Sequence, residues 1–170
     1  MFQHYRDMTA ILGNTAEINF KNRCISKGLL VKDATRNENI YKHCDFWVSK
    51  NGTNYSIVDV KAKKSIRRGQ EPSSSHVAIE LVNGYNYKGW IYSDGYIAFE
   101  NVDGKFYICS KADLLKYTLI KVNINDYIYD TNDISLNISY KLFRRKKYNK
   151  HEIITYITWD DVKKLTKEIL

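Results

Sequence analysis

Residues 44–62 place the strongest constraint on the fold. Cys44 to Val48 and Tyr55 to Ala62 are short apolar runs, and Asn51-Gly52 between them is the dipeptide that most favours a β-hairpin. A chain with such a hairpin is organised around a sheet. Side chains alternate along a strand, so Val58, Val60 and Ala62 face a core while Asp59 and Lys61 face the other way. An acid and a lysine in an otherwise apolar strand need a reason, since burying either alone costs on the order of several kcal/mol. Asp45 lies on the preceding strand. A strict two-residue loop at Asn51-Gly52 pairs Asp45 with Val58, on the wrong face; a three-residue loop or a bulge sets it opposite Ile57 or Asp59, on the face of Asp59. A functional role for these acids therefore predicts an irregular hairpin.

The flanking pattern is mixed. Residues 7–28 read as a helix, starting near Asn14-Thr15 or running through it, with Ala16, Phe20 and Cys24 as one apolar stripe and Gly28 as its stop. Leu29-Leu30-Val31 leads into a polar loop from Asp33 to Asn39. Further strands are expected over Val77 to Val82, Gly89 to Phe99, Lys105 to Cys109, Ile134 to Leu142 and Glu152 to Trp159. Ser110 to Asp113 opens a short helix through Tyr117, and a last helix runs from Asp160 to Leu170. The expected class is α/β (α+β), a mixed central sheet flanked by helices. With 170 residues and no Ser/Gly linker, one domain is expected: a core over about 8–120, and residues 121–170 as a C-terminal extension completing the domain, a candidate element for dimerisation or DNA clamping.

Composition narrows the classes. No run of 18 apolar residues exists, so no membrane-spanning helix is expected, and the first 13 residues lack the apolar stretch of a secretory signal. Three widely spaced cysteines, Cys24, Cys44 and Cys109, argue against a disulfide framework and for a reducing setting, cytoplasmic or intracellular and phage-encoded. His43-Cys44 with Cys24 lacks a fourth ligand at zinc spacing. No P-loop or dinucleotide glycine motif is present. The 27 Lys and Arg against 19 Asp and Glu give +8, which suits a polyanion, nucleic acid first; the Asn-, Ile-, Lys- and Tyr-rich usage also has the look of an AT-rich coding sequence.

Two carboxylates converging on one point repel unless a cation sits between them. Mg²⁺ fits, with Mn²⁺ as a substitute, since it takes one or two carboxylates plus waters and a phosphate; the Val60 carbonyl would add an oxygen. The metal polarises a phosphoryl oxygen and a water, and Lys61 orients that water or offsets charge developing on phosphorus. Glu17 shares a helix face with Phe20 and Cys24, so it points toward the sheet as an accessory acid or further metal ligand. Plain alternatives are a surface ion pair for Asp59 and Lys61, a strand-start polar residue for Asp45 and a solvated helix residue for Glu17.

In this order, Glu17 on a first helix, Gly28 before a strand, then Asp45 and Asp59-Val60-Lys61 on a hairpin, the sequence resembles the PD-(D/E)xK nuclease superfamily. Gly13 to Val31 is similar to the start of its Holliday-junction-resolvase and phage-nuclease branch. The resemblance covers residues 13–62 and extends more loosely to 117. Cys44 stands where the family often has Pro, and Asp59 where Glu is commoner. The resemblance implies a restriction-endonuclease-like core, Asp45 and Asp59 as metal ligands, Lys61 as catalytic lysine and Glu17 as accessory acid.

The expected activity is Mg²⁺-dependent DNA endonuclease cleavage, structure-selective in recombination or repair, by a homodimer whose two symmetric sites cut two strands. Restriction-type or phage genome-processing cleavage, a non-catalytic DNA-binding module of the same fold, and an interaction protein without nucleic acid are the alternatives. Lys63, Lys64, Arg67 and Arg68, directly after the acid-and-lysine strand, and Arg144, Arg145, Lys146 and Lys147, at an expected hairpin tip, are the candidate phosphate contacts. Glu80 is a further candidate for the acidic cluster, and Gln70 a weaker one.

Overall fold

The computed structural model describes residues 2–66, 70–131, 137–147 and 150–170, with the backbone alone for residues 2–9 and Lys147. The fold is mixed α/β, with four α-helices and two mixed sheets among these residues. Contacts divide the chain into two compact units: residues 1–63, 94–109 and 166–170 form the first, residues 64–93 and 110–165 the second.

In the first unit, helix α1 (Phe2–Ser26) runs straight through Asn14-Thr15. Its stripe of Ala16, Phe20 and Cys24 is fully buried, and the chain leaves the helix at Gly28 in the left-handed region (φ 77°), with Leu29 N–H closing on Cys24 O at 2.9 Å. The stripe packs on Phe46, Val58, Val60, Ala98, Phe106 and Leu170. Phe20 stacks on Phe46 with ring centres 5.9 Å apart and meets Phe106 edge-on at 5.4 Å. The sheet beneath has the order β1 (Leu30–Asp33), β2 (Phe46–Ser49), β3 (Ser56–Lys61), β5 (Tyr96–Glu100), β6 (Phe106–Ser110) and β10 (Thr166–Ile169), with β4 (His76–Val82) in the other unit. β1 and β3 are antiparallel to β2, and β5 runs parallel to β3.

Three expectations change here. Within residues 33–39, taken as loop, the helix α2 (Arg36–Lys42) begins, held by a capping box between Thr35 and Glu38. Residues 89–99 divide into a 3-10 turn (Trp90–Tyr92) and β5. The expected last helix stops early: α4 (Trp159–Leu165) gives way to β10, because residues 166–169 find a ladder on β6 and Leu170 closes two main-chain bonds with Phe106 at 2.8 and 2.9 Å.

The second unit holds the sheet β4 (His76–Val82), β9 (Lys150–Thr158), β8 (Leu142–Lys147) and β7 (Ile128–Asp130), with α3 (Lys111–Lys121) and α4. α3 starts on Ser110, whose hydroxyl accepts from Asp113 N–H. Ile138, Phe143, Ile154 and Tyr156 form a core cluster. Of the strand expected over 134–142, residues 134–136 lie outside the described residues. Residues 137–141 carry an isolated bridge at Ser139, and the strand begins at Leu142 after Tyr140 turns through φ 61°. The basic run 144–147 ends β8 and reaches the tip end of the β8–β9 hairpin, where Lys147 pairs with Lys150.

Candidate active site

The hairpin has the shifted register. Phe46 pairs with Val58, Trp47 with Ile57 and Val48 with Ser56, one residue out of the register that a two-residue loop sets; where this ladder ends, Asp45 N–H bonds Val58 O and its carboxylate reaches the Val60 N–H. The loop is wider than two residues because side chains rebuild it. Asn51 Oδ1 accepts from the N–H groups of Thr53 and Asn54, both at 3.1 Å, and Ser49 Oγ accepts from those of Asn51 and Gly52 at 3.3 and 3.0 Å.

Antiparallel pairing brings the start of β2 and the end of β3 to one end of the sheet. There Asp59, 2% exposed, holds Lys61 Nζ at 2.7 Å. Four hydrogen bonds fix Asp45. Its N–H donates to Val58 O at 2.9 Å, its carbonyl accepts from Ala34 N–H at 3.0 Å, Oδ2 accepts from Val60 N–H at 2.7 Å, and Oδ1 accepts from Asn39 Nδ2. Burial and the neighbouring Asp59 carboxylate push Asp45 up to about 7, against the pull of the Val60 N–H and Lys61. Glu17, half-buried on α1, is also raised, first by burial; Lys61 draws it down and Asp59 pushes it up, so the three acids and the lysine form one electrostatic group.

Glu17 and Asp45 line an open depression of about 350 Å³ together with Asn14, Lys21, Arg36 and Asn39. Lys21 is held by Asp33 at 2.7 Å. Glu100, a buried acid at the end of β5, accepts from the Lys63 N–H at 3.3 Å. Among the described residues, no group of three or more His, Cys, Asp or Glu side chains is placed to hold a metal ion.

The other sequence candidates belong to both units. Lys63 ends the first unit, Lys64 is exposed at the start of the second, and Arg67 and Arg68 lie outside the described residues. Arg144 and Lys146 are exposed on β8; the Lys147 side chain lies outside the described residues. Arg145 is engaged: its Nη2 and Nε donate to Glu152 Oε2 at 2.6 and 2.9 Å across the β8–β9 pair. Glu80 is on β4 of the second unit, opposite Ile154, and Gln70 is exposed. Cys24, Cys44 and Cys109 are buried, and burial pushes the Cys24 thiol up to about 12.

Sequence reasoning missed Asn39 and Glu100. Thr35-x-x-Glu38 carries the helix-start signature that places Asn39 on α2; Glu100 has no comparable signal. No protein-family model, curated protein or solved structure matches this chain. No helix among the described residues is long and apolar enough to cross a membrane.

Proposed function

We propose that the chain is a Mg²⁺-dependent DNA endonuclease of restriction-endonuclease-like fold, structure-selective in recombination or repair and acting as a homodimer inside the cell. The carrying observation is the meeting of Asp45, Asp59 and Lys61 at one sheet end, with Glu17 electrostatically joined to them. The antiparallel β1–β2–β3 order with β5 parallel to β3, and α1 across the apolar face, is consistent with the implied core.

The donor set fits a hard divalent cation. It is all oxygen, and burial beside Asp59 already disfavours the charged form of Asp45, a cost that a cation relieves. Asp45 and Asp59 would hold it, with the Val60 carbonyl as a main-chain donor. Bound Mg²⁺, or Mn²⁺ in its place, supplies a Lewis acid for a phosphoryl oxygen and acidifies water.

The remaining work falls to the chain. Asp59 fixes Lys61, whose ammonium orients the attacking water and offsets charge on the phosphoryl oxygens as the water oxygen bonds to phosphorus. The attacking water gives up a proton to bulk water, the bridging P–O bond breaks, and the departing sugar oxygen takes a proton from solvent. Glu17, raised by burial, is the accessory acid beside this centre. Lys63, Lys64, Arg144 and Lys146 supply charge to the DNA backbone, which makes binding salt-dependent.

Cleavage of linear, flapped and four-way-junction DNA in Mg²⁺ against EDTA tests the reading. Mg²⁺-dependent cutting is expected, and the preferred substrate names the branch. Absence of cutting on every substrate overturns it. A non-catalytic DNA-binding module is the second reading, favoured by the 2.7 Å Asp59–Lys61 pair, in which the ammonium offsets the buried carboxylate's charge without a metal. Equal DNA binding in Mg²⁺ and EDTA, without cutting, is its signature.

A further inference from the structure

The geometry points to Asn39 as a positioning residue of the proposed metal centre, one that sets the direction of the Asp45 carboxylate without touching metal or DNA. The inference rests on the nuclease reading and extends it to a residue outside the acidic motif. α2 is seven residues long and contributes no buried residue, so packing does not explain its place. What joins it to the hairpin is polar. Trp47 Nε1 on β2 donates to Glu38 Oε1 at 3.2 Å, and the next residue of the helix, Asn39, donates through Nδ2 to Asp45 Oδ1.

The helix that carries the amide is itself fixed. Thr35 N–H donates to Glu38 Oε2 at 2.9 Å, Glu38 N–H donates to Thr35 Oγ1 at 3.3 Å, and Asn39 N–H closes on Thr35 O at 2.9 Å. With Val60 N–H on the other oxygen, both oxygens of Asp45 face fixed donors, so the carboxylate plane is set before any ligand arrives. Each oxygen keeps acceptor capacity beyond its one hydrogen bond, and Asp45 borders the open depression, where a cation has access. Partners that orient a ligating carboxylate typically change metal affinity by about 10–100-fold when removed.

The test is calorimetric titration of Mn²⁺ into wild type, Asn39→Leu, Asn39→Ala and Asn125→Ala. Asn125 is an exposed amide of the second unit and serves as control. The expected result is a dissociation constant about 10–100-fold higher for both Asn39 variants and unchanged for Asn125→Ala. Their melting temperatures in EDTA stay within about 4 °C of wild type, as for an exposed site with a small stability effect. Asn39 variants that bind within about twofold of wild type overturn the inference while leaving the metal centre standing. A folded wild type that takes up no Mn²⁺ overturns both. If the variants fail to fold, the Asn39 side-chain amide resonances of wild type decide: they shift on adding Mg²⁺ if the residue serves the centre, and their indifference overturns the role.

Discussion

Arg145 and Arg144 are neighbours in sequence with opposite situations. The Arg145 guanidinium faces Glu152, which is 1% exposed, while Arg144 is exposed. Arg145→Ala takes the cation away from a buried carboxylate and is expected to cost about 2–3 kcal/mol, at the lower edge of buried pairs because Arg145 is partly exposed. Arg144→Ala is expected to leave stability within about 0.5 kcal/mol and to weaken DNA binding. Urea unfolding and a binding isotherm separate the two. Asp161 gives a pH signature. Burial works against its charged form, but the hydroxyls of Tyr117 (2.6 Å), Thr158 (2.7 Å) and Tyr140 outweigh it and hold the acid at about 2. A folded-state value below the ordinary 3.8 means stabilisation present above pH 3.8 and lost as pH falls toward 2. The loss is expected to be about 2 kcal/mol in wild type and smaller in Tyr117→Phe, read from melting between pH 5 and 2 at roughly constant salt.

At the scale of elements, β3 depends on a glycine in the chain that returns beside it. Gly95 has φ 92°, and a Cβ there would stand 2.6 Å from Ile57 O and 2.8 Å from Ile57 Cβ. Gly95→Ala is expected to cost about 2–4 kcal/mol by urea unfolding, through strain and displacement of β5 from β3. The elements legible in sequence are those whose signals are local. The four-residue spacing of Ala16, Phe20 and Cys24 marks the buried face of α1, and the need of Asp45 to share a face with Asp59 anticipates the irregular hairpin. What was not legible depends on distant partners. Residues 166–169 are strand because β6 offers a ladder, although their sequence continues a helical start. Arg145 finds Glu152 only once the β8–β9 register is set. α2 announces itself by its capping box, but its seven residues give too short a period to recognise as a helix.

Across the whole molecule, the candidate site draws Glu17 from α1, Asp59 and Lys61 from β3 and Asp45 from the residue before β2, all in one unit, so their proximity comes from tertiary packing rather than from one local motif. The chain leaves this unit after residue 63, returns at 94, leaves again at 110 and returns at 166. Of the residues expected as an extension completing the domain, 166–169 form β10 and complete the sheet that bears the site, and 121–165 belong to the second unit. The central claim is that the acid–lysine group hydrolyses phosphodiester bonds. The most direct measurement is the single-turnover cleavage rate on the preferred DNA in Mg²⁺ for wild type, Asp59→Asn and Lys61→Met, all verified as folded. The account predicts Mg²⁺-dependent cutting by wild type and a rate at least about 100-fold lower in both variants with DNA affinity within about threefold, as when a group acting on the transition state is removed. Equal cleavage by wild type and both variants, or none by wild type, would contradict it.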